Sequence, residues 1–237
     1  MVGSLPAGPG AALPTPNPAG CLIVLDASGT PVETWSNLDI NGPWDMTTQV
    51  TSSSAHIFVS NVLSRPAGVT STPPSGLCTV VRIDVALAAS GPPSMTGTTV
   101  IGSGFAWRAD KTAFVLGPTG VALGSNGTLY VVETPGNHIT AIPNAMSRTG
   151  DGWQQHAHLG RLPQCPLGLT MAPNGDLIAT NGNDGNAVEI STAGHQVGKR
   201  TLVPKGAGDL FGLALTADGH GLLFTNDGTN AVDLAHD

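Results

Sequence analysis

Pro118–Ile142 reads PTGVALGSNGTLYVVETPGNHITAI. The run Val121–Leu123 and the run Leu129–Val132 are apolar and short, and Asn126-Gly127 stands between them. An Asn-Gly pair flanked by strand-like runs is a strong hairpin signal, and a two-residue turn with both central residues at positive φ is predicted. Glu133 closes the second run, PGNH (135–138) forms a loop, and Ile139–Ile142 begins a third run. No window through these Gly and Pro residues keeps a helical period.

The pattern recurs. Pro166 opens PLGLTMAPNGDLIATNGNDGNAVEI, and Leu210 opens LFGLALTADGHGLLFTNDGTNAVDL. In register, Gly120, Gly168 and Gly212 are equivalent. So are the turn pairs Asn126-Gly127, Asn174-Gly175 and Asp218-Gly219, with a one-residue slip at His220. An Asn recurs in the next loop as Asn137, Asn186 and Asn230. A looser copy starts at Pro43 with PWDMTTQVTSSSAHIFVSNVL, and an insertion at 62–77 delays its third run, LCTVVRIDV. The spacing of forty-odd residues, with four short antiparallel strands per copy, is that of propeller blades. Fourth strands fit GTTVIG (97–102), the region Trp153–Leu159 and KRTLVP (199–204).

The fold class expected is therefore all-β: a β-propeller of four-stranded antiparallel blades, with four to five blades encoded. Residues 1–20 read as a Pro/Gly-rich tail. The propeller occupies 21–237, with half a blade at 21–36 and blades from 43, 118, 166 and 210. Incomplete end blades leave open strand edges, which favour self-association.

Composition narrows the function. Only 11% of the 237 residues are charged and the formal net charge is −7. Without Lys/Arg clusters, nucleic acid and anionic membranes are poor partners. No apolar window is long enough for a membrane-spanning helix. A surface of Ser, Thr, Asn and Gly is expected of an exported protein, although residues 1–20 do not form a signal peptide. Cys21, Cys78 and Cys165 lack zinc spacing. A Cys21–Cys78 bridge is one reading, and three buried small hydrophobes is the plainer one.

The segment PTGVALGSNGTLYVVETPGNHI resembles the NHL repeat, with its P-x-G start, D/N-G turn and G-N-H loop. The resemblance covers about 42–237 and is strongest after Gly117. It implies a propeller of the gluconolactonase-like superfamily, commonly six-bladed, whose members include lactonases, lyases, phosphotriesterases and binding modules. The motif specifies architecture and not activity. In gluconolactonase-like enzymes the metal is held partly by Asn or Asp at the start of strand one. Here those places hold Trp44, Thr119, Leu167 and Phe211, with Asp45 beside the first. That metal constellation is not reproduced, and the five residues read as a ligand-binding collar or as the packed throat of a small propeller.

A propeller groups the starts of strand one and the loops from strand two to strand three on one face, which is where sites collect. Strand two ends on Asn61, Glu133, Asn181 and Asn226. One reading makes these four a ring of oxygen ligands for Ca²⁺ or another divalent cation. The other makes them Asx devices that tie down loops. Glu133, longer than the usual Asp or Asn, is the candidate reactive carboxylate. His138 is its candidate acid/base partner. His156 and His158 read as a surface pair. No nucleophile elbow, P-loop or zincin motif occurs.

Two functions stand against each other. The first is an exported propeller that binds a small molecule, glycan or protein at its loop face without a catalytic set. The alternative is a metal-dependent hydrolase or lyase of the lactone, ester or phosphotriester class, using Glu133 and the Asn ring.

Overall fold

The computed structural model describes residues 1–4, 20–62, 78–110, 114–151, 157–161, 165–206, 208 and 210–236. Within them the chain is all strand and turn; the helical content is one 3-10 turn, Thr134–Gly136. The chain forms two compact units, Met1–Pro118 with Ala145–Gln154, and Thr119–Asn144 with Gln155–Asp237.

In the first unit, β1 (Val2–Ser4), β2 (Cys21–Leu25) and β3 (Pro31–Trp35) make a three-stranded sheet. Val2–Ser4, inside the stretch read as tail, pairs antiparallel with Cys21–Ile23, so the half blade at 21–36 gains an inner strand. Next come β4 (Pro43–Val50), β5 (Ser54–Asn61), β6 (Cys78–Ala86) and β7 (Ser94–Phe105), a four-stranded meander. A hairpin of β8 (Arg108–Asp110) and β9 (Phe114–Leu116) follows, which the repeat pattern did not anticipate. Leu22, Trp35, Ile40, Val59, Val81 and Ile83 are buried between the first two sheets.

The second unit holds three successive sheets. They are β10 (Pro118–Leu123), β11 (Leu129–Glu133), β12 (His138–Ile142) and β13 (Ala157–Arg161); then β14 (Pro166–Met171), β15 (Leu177–Asn181), β16 (Asn186–Ile190) and β17 (Gln196–Thr201); then β18 (Leu210–Leu215), β19 (Gly221–Asn226) and β20 (Ala231–His236). Strands pair in sequence order within each sheet. Tyr130, Val132 and Ile139 of one sheet pack on Leu169, Leu177 and Val188 of the next. Each fully buried aliphatic contributes roughly 1.5–3 kcal/mol.

The hairpin turns differ from the two-residue expectation. Gly127, Gly175 and Gly219 have φ of 77°, 90° and 74°, but Asn126, Asn174 and Asp218 are not in the positive-φ region. The N–H of Gly127 donates to the Gly124 carbonyl, and the Gly124 N–H to the Thr128 carbonyl. That is a three-residue loop: one ordinary turn followed by a left-handed glycine. The residue before the glycine works as an acceptor instead. Asn126 Oδ1 takes the Thr128 N–H at 3.0 Å, Asn174 Oδ1 takes the Asp176 N–H at 2.9 Å, and Asp218 Oδ1 takes the His220 N–H at 3.1 Å. The slip at His220 lengthens the last loop by one residue, since Thr216 there pairs with Gly221.

A bulge marks the start of strand one. Pro43 faces Asn61, but the next partners are Met46 and Val59; Pro166/Asn181 and Leu210/Asn226 are followed by the same break. Two residues thus oppose one, which leaves a backbone N–H outside the ladder. The opposing hydroxyl takes it up: Ser60 Oγ accepts from Asp45 N, Thr180 Oγ1 from Gly168 N and Thr225 Oγ1 from Gly212 N, at 3.2, 2.9 and 2.8 Å. The P-x-G signature is the sequence trace of this device. At Gly120 an added Cβ would lie 2.5 Å from the Leu169 nitrogen, so the bulge also brings neighbouring inner strands into backbone contact.

Candidate functional site

Glu133 ends β11 and His138 starts β12, directly opposite in the ladder. The 3-10 turn between them is closed by Asn137 at φ 53°, whose Oδ1 accepts the Cys165 N–H at 2.8 Å. The equivalent left-handed places in the other two loops are Gly185 and Asn230, at φ 67° and 52°. Asn186 is therefore shifted by one from the place assigned to it, and matches His138. It accepts from Thr201 Oγ1 at 2.7 Å and fixes the outer strand.

Glu133 Oε2 lies 3.3 Å from His138 Nε2, with both side chains largely buried. The contact is an ion pair, though its angles fall short of a good hydrogen bond. Glu133 holds the imidazole above its ordinary value of 6.5, against burial, which pulls the other way. A raised folded-state value means the pair stabilises fully below the unfolded value and loses its contribution as pH rises through the folded one. We expect the wild-type melting temperature to fall as pH rises from 6 toward 8, and His138→Gln to flatten that slope. Thermal melts across that range check it; parallel slopes for both proteins would contradict it.

The other strand-two ends behave differently from one another. Asn61 has both amide atoms engaged by its own preceding loop: Oδ1 accepts the Asn41 N–H and Nδ2 donates to the Asp39 carbonyl, each at 3.1 Å. It serves as a loop tie. Asn226 donates to Asp233 Oδ2 at 2.8 Å, but its Oδ1 is buried without a partner. Asn181 is wholly buried, and neither its oxygen nor its nitrogen has a hydrogen-bond partner among the described residues. In the second unit, then, Glu133, Asn181 and Asn226 stand at the same place in three successive sheets; Glu133 Oε2 meets His138, while the Oδ1 atoms of Asn181 and Asn226 have no hydrogen-bond partner among the described residues. The segment equivalent to Asp39–Asn41 in the Asn181 sheet, 162–164, lies outside the described residues, as do 63–77 and His156. Among the described residues no three His, Cys, Asp or Glu side chains gather to hold a metal.

The collar residues divide as well. Thr119 is buried, with its Oγ1 2.7 Å from Thr134 Oγ1, and Thr134 in turn donates to the Pro166 carbonyl at 2.8 Å. Leu167 is buried against Gly182. Trp44 packs with Trp107 on Val62 and Val115. Asp45 Oδ1 accepts the Met46 N–H at 2.8 Å. Phe211 is half-buried and lines a cavity of about 350 Å³ with Thr225, Asn226, Asp227, Asn230 and Val232. There a collar residue and a strand-two end share an opening.

One feature was not legible beforehand. Arg82 is buried on β6. It donates to Asp84 at 2.9 Å and to the Ala145, Met146 and Arg148 carbonyls at 3.2, 3.1 and 2.8 Å, while His56 meets the same carboxylate at 2.7 Å. Burial pushes the Asp84 carboxyl up, but the bonds from Arg82 and His56 outweigh it and leave it below the usual range. None of the three cysteines is in a disulfide, so the Cys21–Cys78 bridge does not form; Cys78 and Cys165 are buried and Cys21 partly so, and Cys78 Sγ donates to the Val62 carbonyl at 3.1 Å.

No protein-family model and no curated protein matches the chain. Among solved structures, a nidogen/laminin complex aligns over 92% of this chain and 70% of that one, at 16% identity and a TM-score of 0.55. A luciferin-regenerating enzyme aligns over 92% and 66%, at 13% identity and 0.50. A gluconolactonase from Xanthomonas campestris aligns over 88% and 62%, at 18% identity and 0.49. The chain thus spans less than two thirds of the last two. At such identities the likeness concerns the fold alone: the chain is an all-β propeller.

Proposed function

We propose that this propeller binds a small hydroxylated ligand of sugar type at the strand-two rim of its second unit. One observation carries the reading. The unpartnered Oδ1 of Asn226 belongs to a residue lining the cavity beside half-buried Phe211, with Asp227 and Asn230 alongside. A buried amide oxygen without a partner is unfavourable by about 1–3 kcal/mol, and a ligand hydroxyl would relieve it. An apolar wall with a few convergent polar groups is the usual make-up of a small-ligand site.

The test is a thermal shift of the full chain against glucose, galactose, glycerol and gluconate at millimolar concentrations. A rise of a few degrees with at least one of them, lost in both Phe211→Ala and Asn226→Ala, supports the proposal. Flat curves for all four, or a rise unaffected by both substitutions, would sink it.

The metal-dependent hydrolase or lyase has the same oxygens in its favour, since Glu133, Asn181 and Asn226 are the donor type a hard cation takes. Against it, one charged oxygen donor already paired with His138 is a thin set for Ca²⁺, which takes six to eight oxygens. In the same assay, a stabilisation by added Ca²⁺ that EDTA reverses and Glu133→Ala removes would favour this second reading.

A further inference from the structure

The cavity beside Phe211 is biased toward hydrogen-bond acceptors, and that bias narrows the ligand it can take. Asn226 is the first case. Its Nδ2 donates to Asp233 Oδ2 at 2.8 Å. An ionised carboxylate accepts and does not donate, so the amide nitrogen must face Asp233 and the amide oxygen must point away. That Oδ1 is buried and has no hydrogen-bond partner among the described residues. Only a donor can satisfy it.

Asp227 follows Asn226 in the chain and lines the same cavity. It is exposed and makes no ion pair with any described residue. Two backbone donors of the loop are turned inward: the Thr229 N–H donates to the Asn226 carbonyl and the Asn230 N–H to the Asp227 carbonyl, at 3.3 and 3.2 Å. No lysine, arginine or histidine is among the described residues that line the cavity. Thr225 and Asn230 can each present a donor or an acceptor, so they adapt to the ligand and do not select it. An anionic ligand would meet the Asp227 charge and a buried oxygen, both repulsive to it. A neutral sugar would satisfy Asn226 Oδ1 and leave the Asp227 charge unpaired. An ammonium beside a hydroxyl supplies both donors, one of them charge-assisted, and an aromatic wall such as Phe211 also favours a cation.

We propose that this rim selects an amino sugar, with its ammonium on Asp227 and an adjacent hydroxyl donating to Asn226 Oδ1. The inference rests on the rim reading above and names the class of ligand for that same site. The cavity of about 350 Å³ lies at the small end of ligand sites, which suits a single sugar ring.

The experiment is calorimetric titration of the full chain with glucosamine, glucose and N-acetylglucosamine at pH 6, where a free amine is protonated. Glucosamine is expected to bind with 1:1 stoichiometry and at least about tenfold more tightly than glucose, the size of one charge-assisted hydrogen bond. N-acetylglucosamine, which keeps the ring and loses the charge, should fall back to the level of glucose. The advantage of glucosamine should shrink as salt is raised, because an exposed ion pair is screened. Asp227→Asn, with its melt recorded as a folding control, should reduce the preference to near one. Glu33→Gln removes the same charge from exposed β3 of the first unit and should leave the preference intact, which separates the site from the general attraction of an acidic chain for cations. Equal binding of glucosamine and glucose, an advantage kept by N-acetylglucosamine, or a preference that survives Asp227→Asn would overturn the inference. If glucose binds at the rim and glucosamine gains nothing over it, this inference falls and the rim reading stands; if none of the three sugars binds, both fall.

Discussion

Gly168→Ala is expected to destabilise the fold by about 3 kcal/mol, at the upper end of overpacking effects. The cause is local and steric. A Cβ at that place would overlap the Phe211 carbonyl oxygen and come within 2.9 Å of both Leu213 Cδ2 and Thr180 Oγ1. The first of these is backbone of the next inner strand and cannot step aside without breaking the bond that Thr180 Oγ1 makes to it at 2.8 Å. For a chain of this length the melting temperature should fall by about 6–12 °C. Gly212→Ala is the matched control. The same place in the next sheet is exposed, and an added Cβ there meets nothing closer than Thr225 Oγ1 at 3.8 Å. That variant should stay within about 0.5 kcal/mol of wild type. Similar losses for the two glycines would mean that contact between neighbouring inner strands is not what the motif protects.

Arg82→Ala should cost about 1–3 kcal/mol, the range for leaving buried hydrogen-bond partners unsatisfied, since the Asp84 carboxylate it also meets is part-exposed. Its guanidinium serves a carboxylate and three backbone carbonyls at once, so truncation leaves Asp84 and the Ala145–Arg148 turn without their donor. Arg82→Lys should recover little, because one ammonium cannot reproduce the planar fork. If the carboxylate is a large part of the loss, Asp84→Asn combined with Arg82→Ala should be less damaging than the sum of the single changes. The link to pH runs opposite to that of His138. Since Asp84 titrates below its ordinary range, its contribution is present above that range and is lost as pH falls through the lower folded-state value. Denaturant midpoints between pH 3 and 6 for wild type and Asp84→Asn check the sign.

Much of the site was legible as position and little of it as state. Asn61, Glu133, Asn181 and Asn226 could be aligned because the repeat counts residues from a proline or leucine to a turn, and counting survives folding. What each does could not be counted. Asn61 is satisfied by Asn41 and Asp39, while Asn226 keeps an oxygen beside a cavity, although both are Asn at one place of one motif. The difference lies in loops that share no pattern. Likewise, the collar was one set in sequence and several environments in space: Thr119 and Leu167 buried, Trp44 packed with Trp107 and Val115 beyond its sheet, Asp45 bonded to the next N–H of its own strand, and Phe211 at an opening.

What sequence alone determined is the part set by local periodicity. Alternating runs, left-handed glycines after Asn or Asp, and the proline-to-glycine start define sheets of three or four sequential strands, because each device acts within a few residues of itself. The turn geometry escaped it, since Asn-Gly serves two kinds of hairpin and only the measured φ values separate them. Tertiary structure decided everything that depends on the partner across a sheet gap. The Arg82 cluster joins residues more than sixty positions apart. The hollow lined by Ala187, Gly198, Gly221 and Ala235 exists because small residues on two different sheets face each other. Packing is a property of pairs of surfaces, and a pattern read along one strand holds no information about the surface that will be laid against it.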